Sequence, residues 1–241
     1  MSSFRPSGFS VLPTVVKNLL VINVLFFLAT IACDVVLRID LTDYLGLHYI
    51  GASDFQPFQL VTYMFMHGNF AHLFFNMFAL WMFGNTLENI WGPNRFLMFY
   101  FVCGIGAGLT QELVQYIQYV TTLQGYENVR IAANQIIPMS EYLNLLTTVG
   151  ASGAVYGILL AFGMMFPNST LYIYFAIPIK AKWFVLIYGV IELFSGFTSV
   201  DNVAHFAHLG GMLFGLILIL YWKKKGANID ILLVNRYKQQ Q

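Results

Sequence analysis

The sequence predicts an all-α polytopic membrane protein with six transmembrane helices and cytoplasmic N- and C-termini. Three observations lead to this fold class: an apolar composition, six apolar stretches and a one-sided distribution of basic residues. Hydrophobic residues make up 58% of the 241 positions and charged residues only 10%. A soluble domain carries about 25% charged residues. The chain therefore has too few polar groups to cover a water-facing surface, and lipid is its expected solvent.

Six stretches are candidates for crossing the membrane, which takes roughly 20 mostly apolar residues. They are 14–37, 58–84, 94–119, 150–167, 178–199 and 203–222. Residues 1–13 are expected to form a cytoplasmic N-terminus, 14–222 the membrane domain and 223–241 a basic cytoplasmic tail. The more polar segment at about 120–149 is expected to be an outer loop insertion that contains short helices.

The basic residues give the predicted orientation, because Lys and Arg are enriched on the cytoplasmic side of membrane proteins. With six spans and the N-terminus inside, only Arg38 and Arg130 fall on the outer face. The remaining ten fall on the inner face: Arg5, Lys17, Arg95, Lys180, Lys182, Lys223, Lys224, Lys225, Arg236 and Lys238. An odd number of spans would place the Lys223–Lys225 cluster outside, so the charges favour six.

The fourth apolar stretch is short for a full crossing. At 1.5 Å per residue, Ser152 to Phe166 covers only about 22 Å, whereas the hydrocarbon layer is about 30 Å thick. If this helix is anchored at its inner end, Ser152 lies at a recessed outer end.

The composition also argues against several classes of protein. No basic patch interleaved with aromatic residues suggests nucleic-acid binding. Cys33 and Cys103 lie in apolar stretches and are expected to be small buried hydrophobes rather than disulfide or metal ligands. The polar first residues and the long first apolar run do not fit a cleavable signal peptide. No cofactor and no metal are expected.

The first segment with candidate catalytic residues is GASGAVYG, from Gly150 to Gly157. Ser152 has small neighbours at a helix start, which leaves its hydroxyl exposed and backbone N–H groups free nearby, as a nucleophile requires. The same segment is open to a structural interpretation, in which Gly153 and Gly157 form a packing face and Ser152 caps the helix.

The second segment is AHLGGMLFG in the last span. Gly211 and Gly215 allow another helix to approach closely, and His208 lies one turn nearer the outer surface. If the approaching helix is the fourth, His208 and Ser152 become a general base and nucleophile within reach of each other. His205 shares roughly the same face, and either histidine alone could instead be an interhelical hydrogen-bonding residue.

The third segment is HGNFAHLFFN in the second span, which begins with His67. His72 and Asn76 are four residues apart and therefore project from one helical face. Two stacked donors of this kind could bind a developing oxyanion. Hydrogen bonding between helices is the alternative role for them.

Together, the three segments in spans four, six and two resemble the rhomboid proteases over about residues 50–220. The resemblance implies a rhomboid-like bundle with Ser152 as nucleophile, His208 as general base, and His72, Asn76 and the Ser152 backbone N–H as oxyanion hole. Tyr156 matches the aromatic residue on which the catalytic histidine of that family packs. Supporting roles are expected for Gly150, Gly153, Gly157, Gly211, Gly215, His205 and His67.

Two further segments bear on the resemblance. GNTLENIWG, from Gly84 to Gly92, matches the family's G-x-x-x-E-x-x-x-G element at the end of the second helix, so Glu88 is expected to be structural. Many family members carry a Trp-Arg pair in the first outer loop, where this chain has Phe58 and Gln59. This departure puts the anchoring of the loop in question, but not the chemistry.

No acidic residue lies beside His208 in the sequence, which predicts a Ser–His dyad whose imidazole is oriented by packing on Tyr156. Glu192 is the other embedded carboxylate, in the fifth span. We expect it to make an interhelical hydrogen bond near the outer boundary, with hydration or gating of the cavity as the alternative.

The expected function is that of an intramembrane serine endopeptidase, which cleaves transmembrane segments near the outer membrane face. The expected partners are the lipid bilayer and single-pass membrane proteins with helix-weakening Gly or Pro, since an intact helix hides its carbonyls. The alternative is a non-enzymatic rhomboid-like protein that binds membrane proteins for quality control. A zinc protease is disfavoured because no His pair shows the H-E-x-x-H spacing, and a transporter because paired charges and repeats are missing from the sequence. The size of the chain favours a bacterial plasma membrane.

Overall fold

A computed structural model describes residues 10–132, 135–173, 176–198 and 203–225. The predicted cytoplasmic ends therefore lie largely outside the described residues. The α-helices are α1 Thr14–Ala32, α2 Leu41–Leu45, α3 Gln59–Thr62, α4 Phe70–Ala79, α5 Asn85–Trp91, α6 Pro93–Gln118, α7 Met139–Asn144, α8 Ser152–Met165, α9 Ala181–Thr198 and α10 His205–Lys224. The strands are β1 Leu47–His48, β2 Asn128–Ala132, β3 Gln135–Pro138, β4 Thr147–Thr148, β5 Thr170–Ile173 and β6 Ile177–Lys180.

Four helical segments among the described residues are long and apolar enough to cross a membrane: Thr14–Leu37, Pro93–Leu123, Ala181–Thr198 and His205–Lys224. Two of them continue their α-helix through a π-helical turn, Cys33–Leu37 after α1 and Tyr119–Leu123 after α6. The apolar helix α8 has only 14 residues, which confirms that the fourth helix is short. The chain is thus a membrane-embedded protein with several spans, while the total of six and the side on which the termini lie stay predictions.

The predicted second span, 58–84, is wrong in its boundaries. Its first part forms only α3 and a 3-10 turn, Tyr63–Phe65, after which the helical structure ends. A new helix then starts at α4, where the Asn69 side chain accepts the backbone N–H of His72 at 2.8 Å and caps the free helix end. This helix continues through a π-helical turn, Leu80–Gly84, into α5 and ends at Gly92, whose φ of 79° is a left-handed conformation suited to glycine.

Two other predicted boundaries also shift. The third predicted span, which is α6 with its π-helical turn, extends beyond residue 119 to Leu123, so the following insertion is shorter than expected. The fifth predicted span, which is α9, begins at Ala181 rather than 178, because the residues before it form β6, which pairs with β5 in an antiparallel hairpin.

The insertion between α6 and α8 contains the short helix that the sequence predicted, α7, and also strands that it did not. Strands β2 and β3 form an antiparallel hairpin. Strand β4, just before α8, pairs with β1 in the first loop, which is the connection between α1 and α4. This pairing ties the insertion to the first loop and leads the chain directly to the start of α8.

The centre of the bundle consists of α6, α8 and α10, which pack closely because small residues face one another. A Cβ added to Gly211 of α10 would lie 1.9 Å from the carbonyl oxygen of Gly153 in α8. One added to Gly157 would lie 2.4 Å from Sγ of Cys103 in α6 and 3.0 Å from the carbonyl oxygen of Gly211, and one added to Gly215 would lie 3.5 Å from Cα of Gly157. Only glycine permits these approaches, which confirms the predicted helix contact at the two glycine pairs. Cys103 is buried and Cys33 half-buried, and both are free thiols.

Glu88 in α5 is buried and accepts the backbone N–H groups of Val15 and Val16 at 2.9 and 2.7 Å. These N–H groups belong to the first turn of α1 and have no acceptor within their own helix. The carboxylate therefore joins α5 to the start of α1, the structural role expected for it.

Gln59, at one of the two positions where the chain departs from the Trp-Arg pair of the rhomboid proteases it resembles, anchors the first loop. Its Oε1 accepts the N–H groups of His48 and Gln56 at 3.3 and 3.0 Å. Its Nε2 donates to the carbonyls of Tyr44 and Asp54 at 3.2 and 3.1 Å. The side chain is only 1% exposed, so the loop is held by an amide instead of a guanidinium.

Candidate active site

Ser152 is the first residue of α8 and is half-buried. The turn before it depends on Gly150, whose φ of 127° lies where side chains are strained and whose N–H donates to the carbonyl of Tyr63 at 2.9 Å. In the first turn of a helix the backbone N–H groups have no acceptor within the helix. The serine hydroxyl is thus placed beside unused N–H donors, as the sequence predicted.

His208 lies in the first turn of α10, and its Nε2 is 2.8 Å from Oγ of Ser152. The two residues are 56 positions apart in the chain. The close approach of α8 and α10 at Gly153 and Gly211 aligns the ends of the two helices. The structure therefore brings together the predicted nucleophile and general base.

Tyr156 packs on His208 as the sequence predicted. The two rings are parallel to within 5°, and their centroids are 4.3 Å apart. Tyr156 follows Ser152 by one turn of α8, so the same helix carries both the hydroxyl and the surface against which the imidazole lies.

Of the predicted oxyanion residues, the structure places His72 close to Ser152. A Cβ added to Gly150 would lie 2.8 Å from Nε2 of His72 and 3.5 Å from Oγ of Ser152, so the imidazole and the hydroxyl both lie next to this glycine. Asn76, one turn further along α4, is buried and donates one amide N–H to the carbonyl of His72 at 3.0 Å. An amide group has a second N–H available to a ligand.

His67 is buried next to His72. Its ring meets the ring of His72 edge-on, with the centroids 5.0 Å apart. This contact agrees with a supporting role, in which His67 fixes the position of the His72 ring.

One prediction about the site is wrong: an acidic residue does lie beside His208. Nδ1 of His208 is 2.9 Å from Oε2 of Glu192. Nδ1 of His205 is 2.7 Å from the same oxygen. The Tyr156 hydroxyl donates to Oε1. Glu192 thus makes the interhelical hydrogen bonds expected of it, and one of them is to His208, the predicted general base.

Sequence spacing could not reveal this contact, because Glu192 is on α9 and precedes His208 by 16 positions. The available signal was the cost of a carboxylate in an apolar span, which makes such a residue a functional candidate by default.

The same cluster contains the donor atoms that a metal ion would need. One ligand atom each from Glu192, His205 and His208 lie within 4.8 Å of one another. The hydrogen bonds among these side chains account for this spacing without an ion.

The fold and the site define a membrane protein with a paired serine and histidine inside an apolar bundle. A family model described as the Rhomboid domain matches residues 54–225, and the chain therefore belongs to the rhomboid family.

Several relatives support this assignment. The chain is 30% identical over 168 residues to RHOMBOID-like protein 5 of Arabidopsis thaliana, which covers 68% of this chain and 45% of the relative. It is 29% identical over 157 residues to Rhomboid protease GluP of Bacillus subtilis, and the match covers 65% of this chain and 24% of the relative. It is 27% identical over 178 residues to the human mitochondrial presenilin-associated rhomboid-like protein, and the match covers 69% of this chain and 40% of the relative. The chain thus spans less than half the length of these relatives.

Proposed function

We propose that this chain is an intramembrane serine endopeptidase that cleaves transmembrane segments of other membrane proteins. The observation that carries the proposal is the 2.8 Å contact between Oγ of Ser152 and Nε2 of His208 inside an apolar bundle. A partly buried Ser–His contact of this geometry fits the arrangement by which a base activates a serine for attack on a carbonyl.

In the proposed mechanism, Ser152 attacks the scissile carbonyl while Nε2 of His208 takes the hydroxyl proton. The resulting oxyanion is bound by the N–H of Ser152 together with His72 and Asn76, which lie on the neighbouring helix. His208 then gives the proton to the leaving amine, and water releases the acyl group by the same steps. The oxyanion donors matter because they are fixed before charge develops, in surroundings with little water to screen them.

The proposed substrates are single-pass membrane proteins with helix-weakening Gly or Pro near the cut and a small residue at the cut itself. A helix uses its carbonyls in hydrogen bonds, so a segment must open locally before Ser152 can reach one. With the orientation predicted from the basic residues, cleavage occurs near the outer membrane face. The bacterial plasma membrane stays a prediction, since the relatives include bacterial, plant and mitochondrial proteins.

The test is labelling of the purified, detergent-solubilised protein with a fluorophosphonate probe, which reacts with activated serines. Wild type should be labelled, and Ser152→Ala and His208→Ala should not. Gly189→Ala is the matched control, because a Cβ there meets only the Met212 side chain at an ordinary 3.4 Å. An unlabelled wild type that melts cooperatively would instead favour the non-enzymatic alternative.

A second experiment addresses the substrate. A transmembrane segment is presented in two forms, one with a Gly pair near its outer end and one with Leu at both positions. The Gly form should be cut faster, because opening it costs less. Equal rates would contradict the need for local helix opening.

A further inference from the structure

We propose that Glu192 is a positioning residue for His208 and extends the Ser152–His208 pair to a Ser–His–Glu triad. The inference rests on the proposed function and concerns the same site. It is carried by the hydrogen bonds on the two edges of one imidazole ring, Nε2 to Ser152 and Nδ1 to Glu192.

The first argument concerns the tautomer of His208. A carboxylate can only accept hydrogen bonds, so the contact with Glu192 requires the proton of His208 to be on Nδ1. The lone pair of Nε2 is then free to accept the proton of Ser152, as a general base must. The opposite tautomer would point an N–H at the serine and leave no base.

The second argument concerns orientation. Stacking on Tyr156 fixes the plane of the imidazole, but half a turn about the Cβ–Cγ bond keeps that plane and moves Nε2 away from Ser152. A hydrogen bond at the Nδ1 edge removes this freedom and holds Nε2 on the hydroxyl of Ser152. The stack and the carboxylate therefore have complementary effects, and neither replaces the other.

The third argument concerns charge. When His208 takes the proton of Ser152, the ring becomes an imidazolium. A carboxylate 2.9 Å from Nδ1 stabilises that cation, and it does so more strongly in an apolar bundle than in water.

Glu192 is itself firmly placed. It is 6% exposed and accepts hydrogen bonds from Tyr156 on α8 and from His205 and His208 on α10. Of the three buried residues of α9, the other two, Ala181 and Val185, lie in its first turns. The carboxylate is thus also the buried contact that holds the second half of α9 against the bundle, and the experiment must separate this structural role from an effect on His208.

The discriminating variants are Glu192→Gln and Glu192→Asp. Gln has the same shape and can still hydrogen-bond across the helices, but its amide can donate to Nδ1 and so favour the wrong tautomer. Asp is shorter but remains an acceptor. A positioning role therefore predicts that Asp retains more activity than Gln, whereas a packing role predicts the reverse. Glu112→Gln is the matched control, because this carboxylate in α6 is also buried and instead accepts the N–H of Ile50 in the first loop, at 2.6 Å.

The measurement is the rate of inactivation by the fluorophosphonate probe, separated into kinact and KI, together with the melting temperature. We expect Glu192→Gln to lower kinact by about 10²–10⁴-fold, the range for general acid–base catalysis and for loss of the acidic member of a triad. KI should be unchanged, and Glu112→Gln should react like wild type. A wild-type kinact in Glu192→Gln would overturn the inference while leaving the protease intact, whereas an unlabelled wild type would remove the proposed function itself. If kinact falls only as far as the melting temperature falls, and Glu192→Gln loses less of both than Glu192→Asp, then Glu192 is a packing residue.

A second readout needs no folded Glu192 variant. A proton shared between Nδ1 of His208 and a carboxylate gives a far-downfield signal in the proton spectrum of protein labelled with ¹⁵N-histidine. We expect such a signal in wild type and its loss in His208→Ala. Its absence from wild type would overturn the inference.

Discussion

The contact between α8 and α10 can be tested by adding a single methyl group, in Gly211→Ala. The added Cβ would lie 1.9 Å from the carbonyl oxygen of Gly153, whereas ordinary van der Waals contact begins at 3.4 Å. The two helices must therefore separate by about 1.5 Å at this level, since backbone atoms cannot yield as a side chain can. Gly211 is one turn from His208, so the separation is transmitted directly to the distance between His208 and Ser152.

The expected cost falls on activity more than on stability. Overpacking costs about 1–3 kcal/mol, and replacing a helical Gly by Ala returns up to about 1 kcal/mol. The net loss of about 3 kcal/mol or less leaves a protein with typical stability of about 5–15 kcal/mol folded. A displacement of about 1 Å at reacting groups, however, can cost about 100-fold in rate. We therefore expect Gly211→Ala to react at least about 100-fold more slowly with the fluorophosphonate probe.

The assay compares probe labelling rate and melting temperature across three alanine variants. Gly215→Ala places its Cβ 3.0 Å from the Phe99 ring and 3.1 Å from Sγ of Cys103, so side chains can yield and the loss should be smaller. Gly189→Ala meets Met212 at 3.4 Å and should behave like wild type. A Gly211→Ala protein that labels at the wild-type rate would refute the claim that this contact sets the Ser152–His208 distance.

Further predictions follow from individual contacts. Gln59→Ala removes four hydrogen bonds to the first loop and should lower the free energy of unfolding by about 2–4 kcal/mol, measured by thermal unfolding in detergent; an unchanged melting temperature would mean that the loop is held elsewhere. Glu88→Gln should cost about 1.5–3 kcal/mol, because it replaces charge-assisted bonds to the start of α1, and a neutral result would contradict its role. Tyr156→Phe should keep most of the labelling rate, since the ring on which His208 packs is retained, whereas Tyr156→Ala should lose it. Equal rates for the two variants would show that stacking does not orient His208.

The site itself shows how far motif reasoning reaches. Ser152, Tyr156 and the glycines of α8 are recognisable because they follow one another within two helical turns, and the same holds for His208 and Gly211 on α10. Helical periodicity determines which of these residues share a face, so the meeting of the two faces could be anticipated from sequence. The start of the second helix was not predicted, although His67, Gly68 and Asn69 interrupt the apolar run there. A short polar interruption of this kind is compatible with a continuous helix, and only the hydrogen bond from the His72 N–H to the Asn69 side chain shows that a new helix begins.

The sequence by itself determined that the chain lies in a membrane and that its fourth span is short, and its resemblance to the rhomboid proteases implied which serine and histidine pair. The first two properties come from composition and from the length of single apolar stretches, and the third comes from motifs within single helices, so all of them are local. Only the tertiary structure decided that Glu192 hydrogen-bonds to His208 and that Gln59 anchors the first loop. Glu192 lies on a helix with few buried residues, and its contact with His208 depends on how α9 is rotated and placed against α10. Packing among several helices sets that arrangement, and no spacing within one helix encodes it.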